Sequence, residues 1–224
     1  MKMVRDLTGR FKERPHYEPQ ELDYECETII CNFLRTLYEQ VAFPIQTNDI
    51  TKLIEKHASD LDLYADLAEY GMKVEGLTKF IPKKKPQVCI SKDLSESTWG
   101  ENRLRTTLTH ELGHVIFHDY LFQMEIVDSK GSLQICKRDD IITSSKSPGK
   151  DWMEWQAGYT CGAFLMPATF VKDTTKNYCH SQGIQVPLKS SSSHIEGLIE
   201  AVANEFQVSK DAARVRISVL NLLQ

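Results

Sequence analysis

His110-Glu111-Leu112-Gly113-His114, preceded by Arg103-Leu104-Arg105-Thr106-Thr107-Leu108-Thr109 and followed by Val115-Ile116-Phe117-His118, is the stretch from which the rest of the chain can be read. Leu104, Leu108, Leu112, Val115 and Ile116 recur at helical spacing, so the segment from Glu101 to about Phe117 reads as a helix with an apolar side. His110 and His114 stand one turn apart on the side opposite Leu108, which suits two ligands of one ion. Glu111 follows the first histidine directly, where a carboxylate reaches a water on that ion without binding the ion itself. Gly113 leaves room on the outer face, at a cost of about 1 kcal/mol in helix propensity relative to Ala. A merely solvated polar face does not explain why Val115-Ile116-Phe117 continues the helix inward.

A catalytic zinc site takes three protein ligands and keeps one position open. His118 continues the series but lies about 12 Å beyond His110 along the axis, too far for the same ion. Position 120 is Tyr, so the spacing that would put a third histidine there is absent. The third ligand must come from another segment. Glu154 is the best placed, early in a helix of its own, although its spacing from Asp151 is also that of a capping box. Glu125, Asp128, Asp139 and Asp140 are the other available carboxylates.

The run from Arg103 to His118 resembles the signature of the ImmA/IrrE family of zinc metallopeptidases, in which two arginines precede the motif and a histidine often follows it. A second block, Glu154-Trp155-Gln156-Ala157 and then Phe164-Leu165-Met166-Pro167, is similar to the family's ligand Glu, the Ala three later and a Leu-Leu-Met-Pro-like close. The likeness covers roughly residues 25–170. It departs at Thr106, where an aromatic is usual, at Thr160-Cys161 in place of a Phe-Ala pair, and in the length between His118 and Asp151. The resemblance implies a zincin-like core of gluzincin type, with one Zn²⁺ per chain on His110, His114 and Glu154. Glu111 would then be the catalytic base, with His118, Tyr120, Arg103 and Tyr159 as candidates for transition-state or ligand support. It further implies an endopeptidase whose substrate is a protein, a helix-turn-helix transcriptional repressor or antitoxin-type regulator.

Composition narrows the classes without choosing a chemistry. The 224 residues carry 27 Lys+Arg against 31 Asp+Glu, a net charge of −4, which excludes a binder of nucleic acid through a global basic field. Hydrophobic residues at 41% and charged residues at 26% exclude a largely disordered or collagen-like chain. No apolar run approaches the roughly 18–20 residues of a membrane span, and Met1-Lys2-Met3-Val4-Arg5-Asp6 opens no secretory signal, so the expected location is the cytoplasm. The six cysteines are dispersed without a Cys-x-x-Cys, as in a reduced protein. Cys179-His180 with Cys161 or Cys136 is a weaker alternative zinc set.

Along the chain, residues 1–17 read as an unpatterned charged arm, 18–171 as the metallopeptidase domain, and 172–224 as a polar linker and helical hairpin packed on the core. Apolar spacing after Pro19 predicts a helix closed by Pro44, and Thr47-Asn48-Asp49 starts another. Met72–Ile81 and Gln87–Ile90 read as strands around the Lys83-Lys84-Lys85 turn, with Gly76 marking a bend. Leu121–Val127 and Leu133–Cys136 are expected to form a hairpin, and a helix is expected from Asp151 to Met166-Pro167. The fold is therefore expected to be α+β, a small twisted β-sheet packed by helices. His194–Phe206 and Ser209–Leu223 resemble a helix-turn-helix, but with only Lys210, Arg214 and Arg216 as basic groups they are expected to pack on the protein rather than on DNA. The alternative to an enzyme is a non-proteolytic, zinc-stabilised regulatory module that binds a transcription regulator or DNA through these helices. The intact Glu111 favours the enzyme.

Overall fold

The computed structural model describes residues 1–71, 73–97, 100–124, 132–137, 151–189 and 192–223, with 132–137 as backbone. These residues form six strands and eight helices in an α+β arrangement. They fall into two compact units, one made of residues 1–22 and 47–161 and the other of 23–46 and 162–224. Among the described residues no helix is long and apolar enough to cross a membrane.

The first unit opens with a hairpin, not an unpatterned arm. Strands β1 (Lys2–Arg5) and β2 (Glu13–His16) pair antiparallel, with Val4 opposite Arg14. The turn is organised by Asp6, whose carboxylate accepts the backbone N–H groups of Thr8 and Phe11, each at 3.0 Å. Burial opposes ionisation of that carboxyl, but the donors from Thr8 and Phe11 outweigh it and hold its pKa below the ordinary value. The charged composition of the segment hides one apolar anchor. Phe11 is buried with Phe80, Leu121, Phe122, Trp152 and Met153, edge-on to Phe122 at 5.0 Å.

Helix α1 (Pro19–Tyr38) starts on a proline, whose missing N–H is no loss at that position, and α2 (Thr47–His57) follows with Ile50, Leu53 and Ile54 inward. Strand β3 (Asp60–Ala65) was not anticipated, although Asp60-Leu61-Asp62-Leu63 alternates as strands do. It is a sheet edge on which the apolar residues are only half-buried. Strands β4 (Val74–Phe80) and β5 (Gln87–Ser91) complete a β-hairpin, and β6 (Ser132–Lys137) lies on the other side of β4. The order is β3-β5-β4-β6, with β3 parallel to β5 and the other pairs antiparallel. The bend expected at Gly76 is present as an irregular register between Val74 and Gly76.

After the short α3 (Lys92–Ser95), helix α4 runs from Glu101 to Met124, seven residues beyond the expected end. The hairpin expected from Leu121 does not form as such. Leu121 and Phe122 continue the helix because its last turns are buried among Phe11, Phe80, Trp152 and Met153, where Phe80 stacks on Phe122 at 4.1 Å. Residues 125–131 lie outside the described part of the chain, and β6 pairs with β4 instead. Helix α5 (Trp152–Leu165) closes this unit and leads into the next.

The second unit is helical. Residues 172–193, expected to be a polar linker, include most of helix α6 (Ala168–Ser181). Val171, Thr175 and Cys179 recur every four residues on its buried face, a stripe too short and too polar to stand out. Helix α7 (Ile195–Phe206) buries Leu198, Ile199, Val202 and Phe206, and α8 (Lys210–Val219) is capped by Ser209 Oγ, which accepts the Ala212 N–H at 3.1 Å. The basic groups of α8 are engaged within the unit. Arg216 is buried, donating to the Met166 carbonyl and pairing with Asp23 at 2.7 Å, while Arg214 pairs with Glu196 and Lys210 with Glu200.

The hairpin's single large anchor yields a direct test. Phe11→Ala should lower stability by about 3 kcal/mol, read as a shift in urea midpoint followed by tryptophan fluorescence. An unchanged midpoint would mean that residues 1–17 are not part of the folded core.

Candidate metal centre

Nine consecutive residues of α4, from Thr107 to Val115, are buried, and five of them are polar. A helix closed on all sides must give such groups partners or a ligand. Thr109 returns its hydroxyl to the Arg105 carbonyl at 2.7 Å. His110, Glu111 and His114 are turned instead toward β4 and α5.

Helix α5 is capped by Asp151, whose Oδ1 accepts the N–H groups of Met153 at 3.1 Å and Glu154 at 3.4 Å. Half of a capping box is therefore present. The other half is not: the Glu154 carboxylate reaches across to α4, with Oε2 3.1 Å from His110 Nε2 and Oε1 3.3 Å from His114 Nε2. The two Nε2 atoms are 3.2 Å apart. Donor atoms on a tetrahedral zinc at 2.0–2.1 Å stand about 3.3–3.4 Å from one another, so this triangle has the size that such an ion requires. Both imidazoles are fully buried while the Glu154 side chain is 16% exposed, so access is from the carboxylate side. Among the described residues this is the one group of three or more His, Cys, Asp or Glu with that convergence. Glu125, Asp128, Asp139, Asp140 and the side chain of Cys136 lie outside the described part.

The charges are arranged for a cation. Burial would raise the pKa of Glu154, but His114 and His110 outweigh it and hold the carboxyl well below its ordinary value. Burial would lower that of His114, but the Glu154 charge and hydrogen bond outweigh it and hold the imidazole above its usual 6.5. Glu111 behaves in the opposite sense. It is wholly buried, and desolvation raises its pKa against the pull of His110, His114 and Thr78. Its Oε2 accepts the Thr78 hydroxyl at 2.5 Å, while Oε1 is buried with no hydrogen-bond partner among the described residues.

Two glycines let these groups come together. A Cβ on Gly76 of β4 would stand 2.5 Å from Glu111 Oε1 and 2.8 Å from Thr107 Cγ2, so the bare backbone leaves the space in which the carboxylate sits. A Cβ on Gly113 would stand 2.3 Å from Thr160 Oγ1 and 3.2 Å from the Ala157 Cα. The room left by Gly113 is thus filled by α5, and Ala157, three after Glu154, is the matching small residue. Thr160, where the resembled family has an apolar residue, returns its hydroxyl to the Ala157 carbonyl at 3.0 Å.

The other sequence candidates are placed differently. His118 stands behind His114, with Nδ1 atoms 2.9 Å apart, and its Nε2 is 3.0 Å from Gln156 Oε1. Burial, then the neighbouring His114, push its pKa well below the ordinary value. Arg103 is held by the Glu75 carboxylate, its Nε at 2.8 Å, about 10 Å before His110 along the helix axis. Tyr120 packs on the aromatic cluster around Phe11 and Trp152, and its buried hydroxyl has no partner among the described residues. Tyr159 lies beside Trp155 at 5.7 Å. Thr78, Gly76 and Gln156 carry no signal of function in the sequence, although Gln156 sits inside the block that contains Glu154.

Two histidines and a glutamate thus converge beside a buried carboxylate, a donor set that could hold one metal ion. Residues 72–218 match a peptidase family described as IrrE N-terminal-like domain, and the chain belongs to that family. The match contains His110, Glu111, His114 and Glu154 and leaves out the β1–β2 hairpin. No curated protein matches the chain.

Two outcomes follow from this geometry. Gly113→Ala should cost about 1–3 kcal/mol through overpacking, and adding Thr160→Ala should recover about half of the loss; equal midpoints for Gly113→Ala and the parent in urea would refute the close approach. In the metal-free protein, the raised His114 pKa stabilises the fold fully below its ordinary 6.5, and that contribution is lost as pH rises through the folded-state value. The melting temperature of chelator-treated protein should therefore fall from about pH 6.5 upward, with a smaller fall in His114→Asn; identical profiles would count against it.

Proposed function

We propose that this protein is a cytoplasmic zinc endopeptidase that cleaves a specific protein substrate, a helix-turn-helix transcriptional repressor or antitoxin-type regulator. The observation that carries this reading is the triangle of His110 Nε2, His114 Nε2 and the Glu154 carboxylate, with the unpartnered Oε1 of Glu111 buried beside it. A zinc ion on those three residues would supply a Lewis acid for the scissile carbonyl and bring the pKa of a water in the open position toward 7.

Glu111 receives the proton of the attacking water on Oε1 and delivers it to the leaving amine. Burial raises its pKa, which makes it a stronger base than an ordinary carboxylate. Thr78 pins Oε2, so the carboxylate keeps one oxygen for the reaction. His118, fully buried behind His114, is held by Gln156 and serves the ligand rather than the substrate.

A protein substrate is favoured over nucleic acid by the net charge of −4 and by the engagement of Lys210, Arg214 and Arg216 with carboxylates of their own unit. The nature of that substrate rests on the resemblance to the ImmA/IrrE family.

Metal content by mass spectrometry, together with incubation against a panel of helix-turn-helix repressors, tests the proposal. Wild type should carry about one zinc per chain and release fragments with a single new N-terminus. Glu111→Gln should keep the zinc and lose on the order of 10²–10⁴-fold in rate, and Glu154→Ala should lose both. Zinc without cleavage of any repressor would support the non-proteolytic regulatory module in its place; absence of zinc from the wild type would end both readings.

A further inference from the structure

We propose that Gln156, anchored on the backbone carbonyl of Pro15, is a positioning residue that acts through His118 to fix which ring nitrogen of His114 faces the metal. The inference rests on the zinc-site reading above and extends it to residues that never touch the ion.

The direction of each hydrogen bond follows from the end of the chain that has no choice. The Pro15 carbonyl can only accept, so at 3.1 Å it is the Gln156 amide nitrogen that faces it. The Gln156 Oε1 therefore points at His118 Nε2, 3.0 Å away, and that nitrogen must carry hydrogen. His118 is fully buried and among the described residues no carboxylate is hydrogen-bonded to it, so a second proton on its ring would be an uncompensated buried charge. Its Nδ1 is accordingly bare. At 2.9 Å, His114 Nδ1 must donate to it, because two bare nitrogens or two N–H groups would repel at that distance. With a hydrogen of His114 fixed on Nδ1, Nε2 is the nitrogen that faces His110 and Glu154 and is left to take the ion.

Three features mark this as a supported arrangement. The His118 ring is held edge-on by Trp152 at 5.5 Å, and Arg14 lies over the Trp152 ring at 5.4 Å. The other histidine has no such device among the described residues, where His110 Nδ1 is buried without a partner. The anchor itself comes from β2, outside the residues 72–218 that the family match covers.

Gln156→Glu and Gln156→Met separate a positioning role from a structural one. Both lose the donor to Pro15, but only Glu retains an acceptor for His118 Nε2. Zinc is titrated into metal-free full-length chain against a chromophoric chelator. Gln156→Met should bind about 10–100-fold more weakly than wild type, and Gln156→Glu at least tenfold more tightly than Gln156→Met. Equal affinities for the two variants would overturn the proposal. Nitrogen-15 spectra of the metal-free wild type provide a second readout that needs no variant: His118 should show hydrogen on Nε2 alone, and hydrogen on Nδ1 would overturn the proposal even if Gln156→Met fails to fold. Failure of the zinc-site reading looks different, since wild type and His110→Ala would then be equally unable to compete with the chelator.

Discussion

The approach of α4 to α5 at Gly113 and Ala157 sets the distance across which two histidines of one helix meet a carboxylate of another. With any larger side chain at Gly113 the helices move apart by a fraction of an ångström to an ångström, and the 3.1–3.3 Å separations between Nε2 atoms and Glu154 oxygens open with them. A tetrahedral ion tolerates little of that, because its bonds are short and its angles follow from the ligand triangle. On the opposite side of α4, Gly76 plays the same part for Glu111. The helix is thus fitted between a strand and a helix by two absent side chains, and the reactive groups occupy the space that those absences create. The cost in backbone entropy and helix propensity, about 1 kcal/mol for Gly113, is borne for geometry.

The electrostatics follow from this confinement. Several buried polar groups on α4 have partners: Thr109 in the Arg105 carbonyl, His118 in Gln156, Glu111 Oε2 in Thr78. Among the described residues Glu111 Oε1 has no donor and His110 Nδ1 no acceptor, and the Thr107 and Tyr120 hydroxyls are likewise buried without a partner. His114 and Glu154 stabilise each other's charged forms, so the site holds together before any ion arrives, and a cation has to displace a proton to enter.

Much of this was legible in the sequence because it is local. His110, Glu111 and His114 lie within one turn, and their chemistry depends on helix spacing alone. Glu154 was legible only in part, since Asp151 does cap the helix through its own side chain and only the direction of the Glu154 carboxylate separates cap from ligand. Thr78 and Gly76 were beyond reach, because a threonine and a glycine in a strand have no signature until the strand is placed beneath α4. The extension of α4 through Leu121 and Phe122 was misread for a related reason: the tertiary cluster that buries these last turns has no signature in the local sequence. The buried face of α6 was readable at four-residue spacing, but a threonine in its middle weakened the stripe.

The β1–β2 hairpin reaches its partners over a long span of chain. Arg10 meets Asp151, and Pro15 meets Gln156, at separations of 141 residues. Contacts of that kind are the last to be made in folding, since helices and hairpins close over a few residues while these close most of a domain. On a ribosome, Phe11 and Pro15 are synthesised well before the helix that receives them, and His110 and His114 before the carboxylate that completes their triangle. A metal ion meeting the growing chain would find two imidazoles before the Glu154 carboxylate or the Gln156 partner of His118 had been made. Assembly of the His110–His114–Glu154 triangle is in this sense a late event of biosynthesis, timed by when residues 151–156 emerge and by how long the hairpin waits for them.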